Sequence, residues 1–408
     1  MIPIEEARSL VLENISVLET VTLNLHDSCG LVLSNDVISE VNVPPFRNSA
    51  MDGFALFSED TVDGEVQLEV VASVFAGDSP YSGLRRGQAV RIMTGAVVPH
   101  NADAVVMQEL TDFDGTVKET VLVKDVVAKN TNIRDIGEDI LDGSTVFESG
   151  EVVSPAHIGV LASIGCESVR VIRRANVGVL STGNELISEA ESLGDCLIRD
   201  SNRPTLLAAI NSIGANAIDL GHVRDDELLI EKVLIDGAAK CDLIFTSGGV
   251  SVGDADLEAK VLKKLSGNSA ISMSVAVKPG KPLAIGKVVH TPVIGLPGNP
   301  VAAMVSFLLF GAPAIRKLMG QKFVLGGSLS AISSEDITRS KDGKVHLDRA
   351  FHYVNASGRI EFKLLKGQGS HLMKTMAKAT SLAVIVDGEG LRSGEEAQLM
   401  LFPWRAVI

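Results

Sequence analysis

Aromatic side chains are scarce: one Trp, two Tyr and 13 Phe in 408 residues. Stacking platforms for single-stranded nucleic acid are therefore few, and the cores must be built from aliphatic residues. Basic residues are in deficit as well, 37 Lys and Arg against 51 Asp and Glu, for a net charge of −14. No basic stripe is present to neutralise a phosphate backbone, so nucleic acid is not expected as a partner. Only four cysteines occur, at 29, 166, 196 and 241, with no C-x-x-C pair. That excludes a zinc knuckle or a disulfide framework and suits a reducing, cytoplasmic setting. The longest apolar run, Val301–Ile315, is interrupted by Ser306 and Pro313. It falls short of the ~18 residues a membrane span needs and reads as a buried helix. The first residues, MIPIEEARSL, show neither the basic nor the apolar region of a secretory signal. Walker A, G-x-G-x-x-G, G-x-S-x-G and H-E-x-x-H motifs are all missing, which removes support for P-loop kinases, Rossmann dehydrogenases and the common hydrolases.

What is present is organised in blocks. A helical period runs over Ile4–Leu18, with apolar Ala7, Leu10, Val11, Ile15 and Leu18. Short strand-like runs then predominate: Leu31–Leu33, Val37–Val43, Val66–Val74, Ala89–Met93, Ala104–Leu110 and Thr120–Lys124, separated by glycine turns. From Val177 strands and helices alternate. Strands are expected at Val177–Leu180, Ala217–Leu220, Asp242–Thr246, Ser272–Val277, Leu283–Ile285 and Val293–Ile294. Helices are expected at Pro204–Ile213, with Ser201 or Asn202 as cap, at Asp226–Ala239, at Ala255–Leu265 and from Pro300. This is a doubly wound α/β pattern with a mostly parallel sheet. From about Ser328 the pattern is again β-rich, at Lys344–Leu347, Arg359–Leu364, Ala383–Val386 and Glu396–Leu401.

The chemistry concentrates in three glycine turns, STGNEL (Ser181–Leu186), SGGVSVGDAD (Ser247–Asp256) and GLPGNP (Gly295–Pro300), with a lysine turn, KPGKP (Lys278–Pro282), between the last two. Ligands of doubly wound sheets bind outside the carboxyl ends of the strands, and all three glycine turns follow a strand. Glycine lets backbone N–H groups approach an anion, and a helix N-terminus adds positive potential. Each turn alone is ordinary strand-to-helix chemistry; together, with carboxylates and lysines beside them, they suggest a site for a phosphate-bearing ligand and a metal. Asp254 and Asp256 can cap a helix or hold a divalent ion, and Glu185 can cap its turn, ligate a metal or act as a base. Asp225 and Asp226 begin a helix, where capping is the ordinary role. Lys278 and Lys281 in a rigid turn are placed to neutralise an oxyanion.

Nine segments in order resemble the molybdopterin molybdotransferases, the MoeA family that includes the C-terminal E domain of gephyrin. They are PPFRNSAMDGFAL (Pro44–Leu56), VRIMTGAVVPHNADAVVMQE (Val90–Glu109), NIRDIGEDI (Asn132–Ile140), VGVLSTGNEL, SNRP (Ser201–Pro204), FTSGGVSVGDAD, VKPGKPLAIG (Val277–Gly286), GLPGNPVAAMVSF (Gly295–Phe307) and GQGSH (Gly367–His371). The resemblance covers essentially the whole chain. It implies an α/β multidomain fold: a helical arm (1–45 with 142–173), an inserted β domain (46–141), a molybdopterin-binding α/β domain (174–325) and a C-terminal β-barrel (326–408). It further implies a homodimer, no membrane partner, contact with a molybdopterin adenylyltransferase, and magnesium as cofactor. The implied reaction inserts molybdate into adenylylated molybdopterin and releases AMP. Carried over by motif, Asp52, Glu185, Asp225, Asp256, Lys278 and Lys281 are the catalytic candidates, with Glu185 and Asp256 as metal ligands. Thr94, Asp139, Ser181, Gly248, Gly249, Ser251, Gly253, Pro297, Gly298, Asn299, Arg349 and Ser370 are candidates for substrate binding. Asp52 and Asp139 are expected to act across the dimer interface. Asn184 stands where many relatives have Asp, Asp254 where many have Glu, and Leu257 where many have an aromatic. Three other readings compete: an adenylyltransferase, a non-catalytic scaffold like the receptor-binding E domain, and a tungsten-selective paralogue. The MDG, GED and QGS segments argue against the first, and the retained carboxylates and lysines against the second.

Overall fold

In the computed structural model, residues 1–116, 118–188, 191–248, 257–267, 269–339, 341–388 and 390–405 are described. They form two compact units, one of Met1–Ser34, Gly150–Ser154 and Val169–Ile408, the other of Asn35–Ser149 and Pro155–Ser168.

In the first unit, the β-branched runs after Ala175 become a six-stranded sheet. Its order is Asn216–Val223, Asn176–Thr182, Leu243–Gly248, Thr291–Pro297, Pro282–Val288, Ile271–Ser274. The first four strands are parallel, Pro282–Val288 runs antiparallel to both of its neighbours, and Ile271–Ser274 at the edge returns to the direction of the first four. The expected strands are found, most of them a few residues longer than the apolar runs that announced them, except that Ser272–Val277 divides into Ile271–Ser274 here and Val277–Lys278 on the barrel. The central strands, Asn176–Thr182 and Leu243–Gly248, are buried almost throughout, which fits their continuous apolar runs. The antiparallel turn at the sheet's end has a consequence for the site. It brings the start of Pro282–Val288, and with it the lysine turn, to the edge where the parallel strands end.

The helix from Pro300 continues to Leu318, with a π-turn at Phe307–Gly311. Pro313 has no N–H for the carbonyl four residues back, and Arg8 Nε donates to that carbonyl, Leu309 O, at 3.2 Å. By length and composition the helix could cross a membrane, but 89% of its apolar window is buried in the protein. The helix Ile4–Glu13 presents Ile4, Ala7 and Val11 to the same core. It ends earlier than its apolar period suggests, where Asn14 Nδ2 takes the Leu10 carbonyl at 2.9 Å. The helix Asn202–Ser212 corrects the expected cap. Neither Ser201 nor Asn202 caps it; Asp200 Oδ1 accepts from the N–H groups of Asn202 and Arg203, both at 3.1 Å.

The tail closes a barrel of Val345–Val354, Ile360–Leu364, Ser328–Ser333, Glu396–Leu401 and Ser381–Ile385. Ala331, Ala350, Ala383 and Ala397 fill much of its narrow interior around Phe362 and Leu399. Val277–Lys278 adds to this barrel beside Val345–His346.

The second unit is built on a five-stranded sheet ordered Ala104–Met107, Gly53–Leu56, Gln88–Ile92, Val66–Val74, Thr120–Val123. Alternation sends Phe54 and Leu56 to one cluster and Ala55 to the other, so both faces are covered.

Candidate active site

The carboxyl edge of the parallel strands opens into a cavity of about 1160 Å³. It is bounded by the glycine turns, the lysine turn, the barrel strand Val345–Val354 and the Gln368–His371 loop. Ten of the expected residues meet on its wall: Ser181, Glu185, Asp225, Gly248, Lys278, Lys281, Pro297, Gly298, Asn299 and Ser370. Gly249, Ser251, Gly253 and Asp256 lie outside the described residues.

Close approach explains the glycines. A Cβ on Gly248 would stand 2.2 Å from Thr182 Oγ1 and 2.6 Å from Thr182 O. One on Gly183 would meet Glu185 Oε2 at 2.7 Å, and one on Gly298 would meet Gly248 O at 3.1 Å. The first turn is therefore packed on the second and the second on the third, and a side chain at Gly248 or Gly298 would press them apart, whereas at Gly183 it would displace the Glu185 carboxylate of the same turn. Thr182 Oγ1 also donates to the buried Glu258 at 2.6 Å, tying the first turn to the helix Leu257–Leu265.

Asp225 and Asp226 divide their roles. Asp226 caps the helix Glu227–Ala238, accepting from Leu228 N and Leu229 N at 2.9 and 3.1 Å. Asp225 is left to face the cavity, where Asn184 Nδ2 donates to its Oδ2 at 3.1 Å and its own N–H reaches Asn184 Oδ1 at 3.2 Å. Asn184 thus serves as a neutral brace for Asp225, which a second carboxylate would repel.

Three further residues order the wall, and sequence reading missed two of them. Asn202 stands within the SNRP segment but was considered only as a cap. Its Nδ2 donates to Ser247 Oγ at 2.8 Å and to Gly298 O at 2.7 Å, joining the second glycine turn to the third. Asp200 is buried against Arg203, which also pairs with Asp219. Gln368 accepts from Arg349 N at 2.9 Å and donates to Arg349 O at 2.9 Å. The QGS segment was the available signal for it. Ser370 O accepts from Val301 N at 3.0 Å, so one free donor of the Pro300 helix is already bonded.

Arg349 lies behind this wall. It is fully buried, and Nη2 donates to Gly367 O at 2.9 Å. Its Nε and Nη1 have no partner among the described residues, and burial pushes its pKa down. A guanidinium in that condition favours an added acceptor.

The remaining candidates belong to the second unit. A Cβ on Gly53 would lie 1.8 Å from Val106 O, so only glycine lets the MDG strand pair this closely. Beside it, Asp52 Oδ1 accepts from Thr94 N at 2.7 Å and Thr94 Oγ1 at 2.8 Å. Those bonds hold the Asp52 carboxyl below its ordinary range. Asp139 is exposed in the same unit, its N–H on Val43 O at 3.0 Å. Among the described residues no three His, Cys, Asp or Glu side chains converge as a metal cage.

Comparison with known proteins bears on this arrangement. Residues 2–165 match the MoeA N-terminal region (domains I and II), and residues 178–317 match a probable molybdopterin-binding domain. The molybdopterin molybdenumtransferase of Haemophilus influenzae is 39% identical over 400 residues, 97% of each chain. The chain belongs to the molybdopterin molybdenumtransferase family. A second member, molybdopterin molybdenumtransferase 2 of Mycobacterium tuberculosis H37Rv, is 35% identical over 93% of this chain and 94% of its own. The molybdopterin biosynthesis MoeA protein of Pyrococcus horikoshii OT3 shares the fold, with a TM-score of 0.84 at 27% identity, covering 98% of this chain and all of that one. The multidomain architecture expected of the family, with its parallel α/β domain, β-rich domain and closed barrel, is the one observed.

Proposed function

We propose that the protein inserts molybdate into adenylylated molybdopterin, with release of AMP, as a homodimer. One observation carries the reading. In a chain of net charge −14, a single cavity edge gathers Lys278, Lys281, closely packed glycine turns and the carboxylates Glu185 and Asp225. Molybdate and the phosphoanhydride are anions, and most of this protein's surface would repel them. The lysine turn supplies compact cations where they must bind. Arg349, buried behind the wall, holds the Gly367 carbonyl and adds positive potential at the Gly367–Ser370 loop. Asp225, fixed by Asn184, and Glu185, folded over Gly183, offer hard oxygen donors of the kind magnesium takes alongside substrate phosphates. When bound there, the ion neutralises the anhydride and makes AMP a better leaving group. The protein's own part is to orient the anhydride along the turns and to hold molybdate beside it.

The test is direct. Purified protein is incubated with adenylylated molybdopterin, magnesium and molybdate, and AMP and metal-loaded cofactor are assayed, with tungstate in parallel. Wild type is expected to produce both, and Glu185→Ala neither, with unchanged circular dichroism. Absence of both products from wild type, or full activity of Glu185→Ala, overturns the proposal.

A further inference from the structure

His346 lies on the barrel strand Val345–Val354, and parallel pairing sets it directly beside Lys278. The residue is 7% exposed and lines the cavity. Its Nε2 is 3.1 Å from Asp342 Oδ1, while Asp342 Oδ2 is 3.3 Å from Lys344 Nζ. Asp387 Oδ1 anchors the turn by accepting from Asp342 N at 3.0 Å and Gly343 N at 3.1 Å. The bond from His346, then Lys344, holds the Asp342 carboxyl below its ordinary range.

An ionised Asp342 can only accept, so Nε2 carries a hydrogen whether the ring is neutral or charged. Nδ1 has no partner among the described residues. In the neutral ring it is a lone pair, which repels an oxyanion. In the imidazolium it is a donor, which attracts one. The charged groups around the ring are Asp342, Lys344, Lys278 on the paired strand, the Arg339–Asp348 ion pair, and Asp387 after the strand Ser381–Ile385. Imidazole is the side chain among these whose charge ordinarily changes between about pH 5 and 8. The cavity wall holds one other imidazole, His371, which is exposed and has no carboxylate partner among the described residues.

We propose that His346, oriented by Asp342, is an oxyanion-contacting residue that strengthens the grip of Lys278 on a tetrahedral dianion when its ring is protonated. The inference rests on the proposed function only for the identity of the anion. The test is calorimetric titration of the full chain with molybdate alone, and with sulfate, at about pH 6 and about pH 8. Wild type is expected to bind about tenfold more tightly at the lower pH, the linkage of one proton to binding. His346→Gln should bind equally at both, and His371→Gln should keep the wild-type difference. In wild type, the ring resonance that His346→Gln removes should move on adding molybdate at the lower pH. That readout needs only enough folded variant to assign one signal. Equal binding by wild type at both pH values, an undiminished difference in His346→Gln, its loss in His371→Gln, or an unmoved His346 resonance each overturns the proposal. Molybdenum insertion by the same wild-type sample separates the two readings, because anion binding can show the His346 dependence whether or not the transfer occurs.

Discussion

Replacing Asn202 tests whether the glycine turns act as one wall. Its amide links the second and third turns with donor bonds of 2.8 Å to Ser247 Oγ and 2.7 Å to Gly298 O, shorter than the 3.5 Å bond from Ser247 Oγ to Pro297 O beside them. Asn202→Ala removes both. A net hydrogen bond contributes about 0.5–1.5 kcal/mol, so about 1–3 kcal/mol is at stake. Both acceptors border an open cavity, so water can take the amide's place in the empty site and the loss of fold stability should lie at the low end. A ligand seated against Gly298 excludes that water, and the loss is then felt in full. The expected result is a fall in kcat/KM of about tenfold or more for molybdenum loading, at about 1.4 kcal/mol per decade, with only a small change in melting temperature. Asn202→Asp should be worse, since it turns a carboxylate oxygen toward Gly298 O and adds negative charge to an anion site. Steady-state kinetics of all three proteins, with thermal unfolding in parallel, decide the matter. Activity within twofold of wild type in Asn202→Ala, together with a clear loss of stability, would mean the amide serves the fold alone and would refute the reasoning.

Gly248→Ala is expected to abolish activity and to destabilise by about 1–3 kcal/mol or more, because the new methyl meets Thr182 Oγ1 and the Thr182 carbonyl. Thr182→Ala should not rescue it, since the carbonyl at 2.6 Å remains; near-normal activity in the single variant would sink this account. His352 gives a pH-dependent prediction. Burial, and then Arg405, depress its folded pKa, and Thr380 Oγ1 and Ser381 Oγ surround Nδ1 at 2.8 and 3.0 Å. Below the ordinary value of about 6.5 the unfolded chain takes up a proton that the folded barrel resists. Stability is therefore complete above that pH and declines as pH falls toward the depressed value. Melting temperatures from about pH 5 to 8 should show this decline in wild type and lack it in His352→Gln; matching slopes would count against it.

Much of the site could be read locally. The strand Val66–Val74 coincides with its apolar run, and so does Glu396–Leu401. The three glycine turns share an edge because each follows a strand of one parallel set, a pattern visible in the order of runs and breaks. Residue chemistry alone did not reveal which of two adjacent carboxylates would cap and which would face the ligand; only the family motif singled out Asp225. Asp225 and Asp226 are chemically alike, and the start of the Glu227 helix decides between them. The cap at Asp200 escaped notice for a related reason, since Ser201 and Asn202 are equally good capping types one and two positions later.

By itself, then, the order of residues determined the periodicities, the breaks, the stock of anion-binding groups and the family. These depend on each residue's near neighbours and on side-chain chemistry. Three things were decided by tertiary structure: the reversal that carries the lysine turn to the carboxyl edge, the pairing of Lys278 with His346, and the burial of Arg349 behind the Gln368 loop. Each depends on contacts between segments distant along the chain. Sheet register and the satisfaction of buried polar groups set those contacts only once the whole unit has closed.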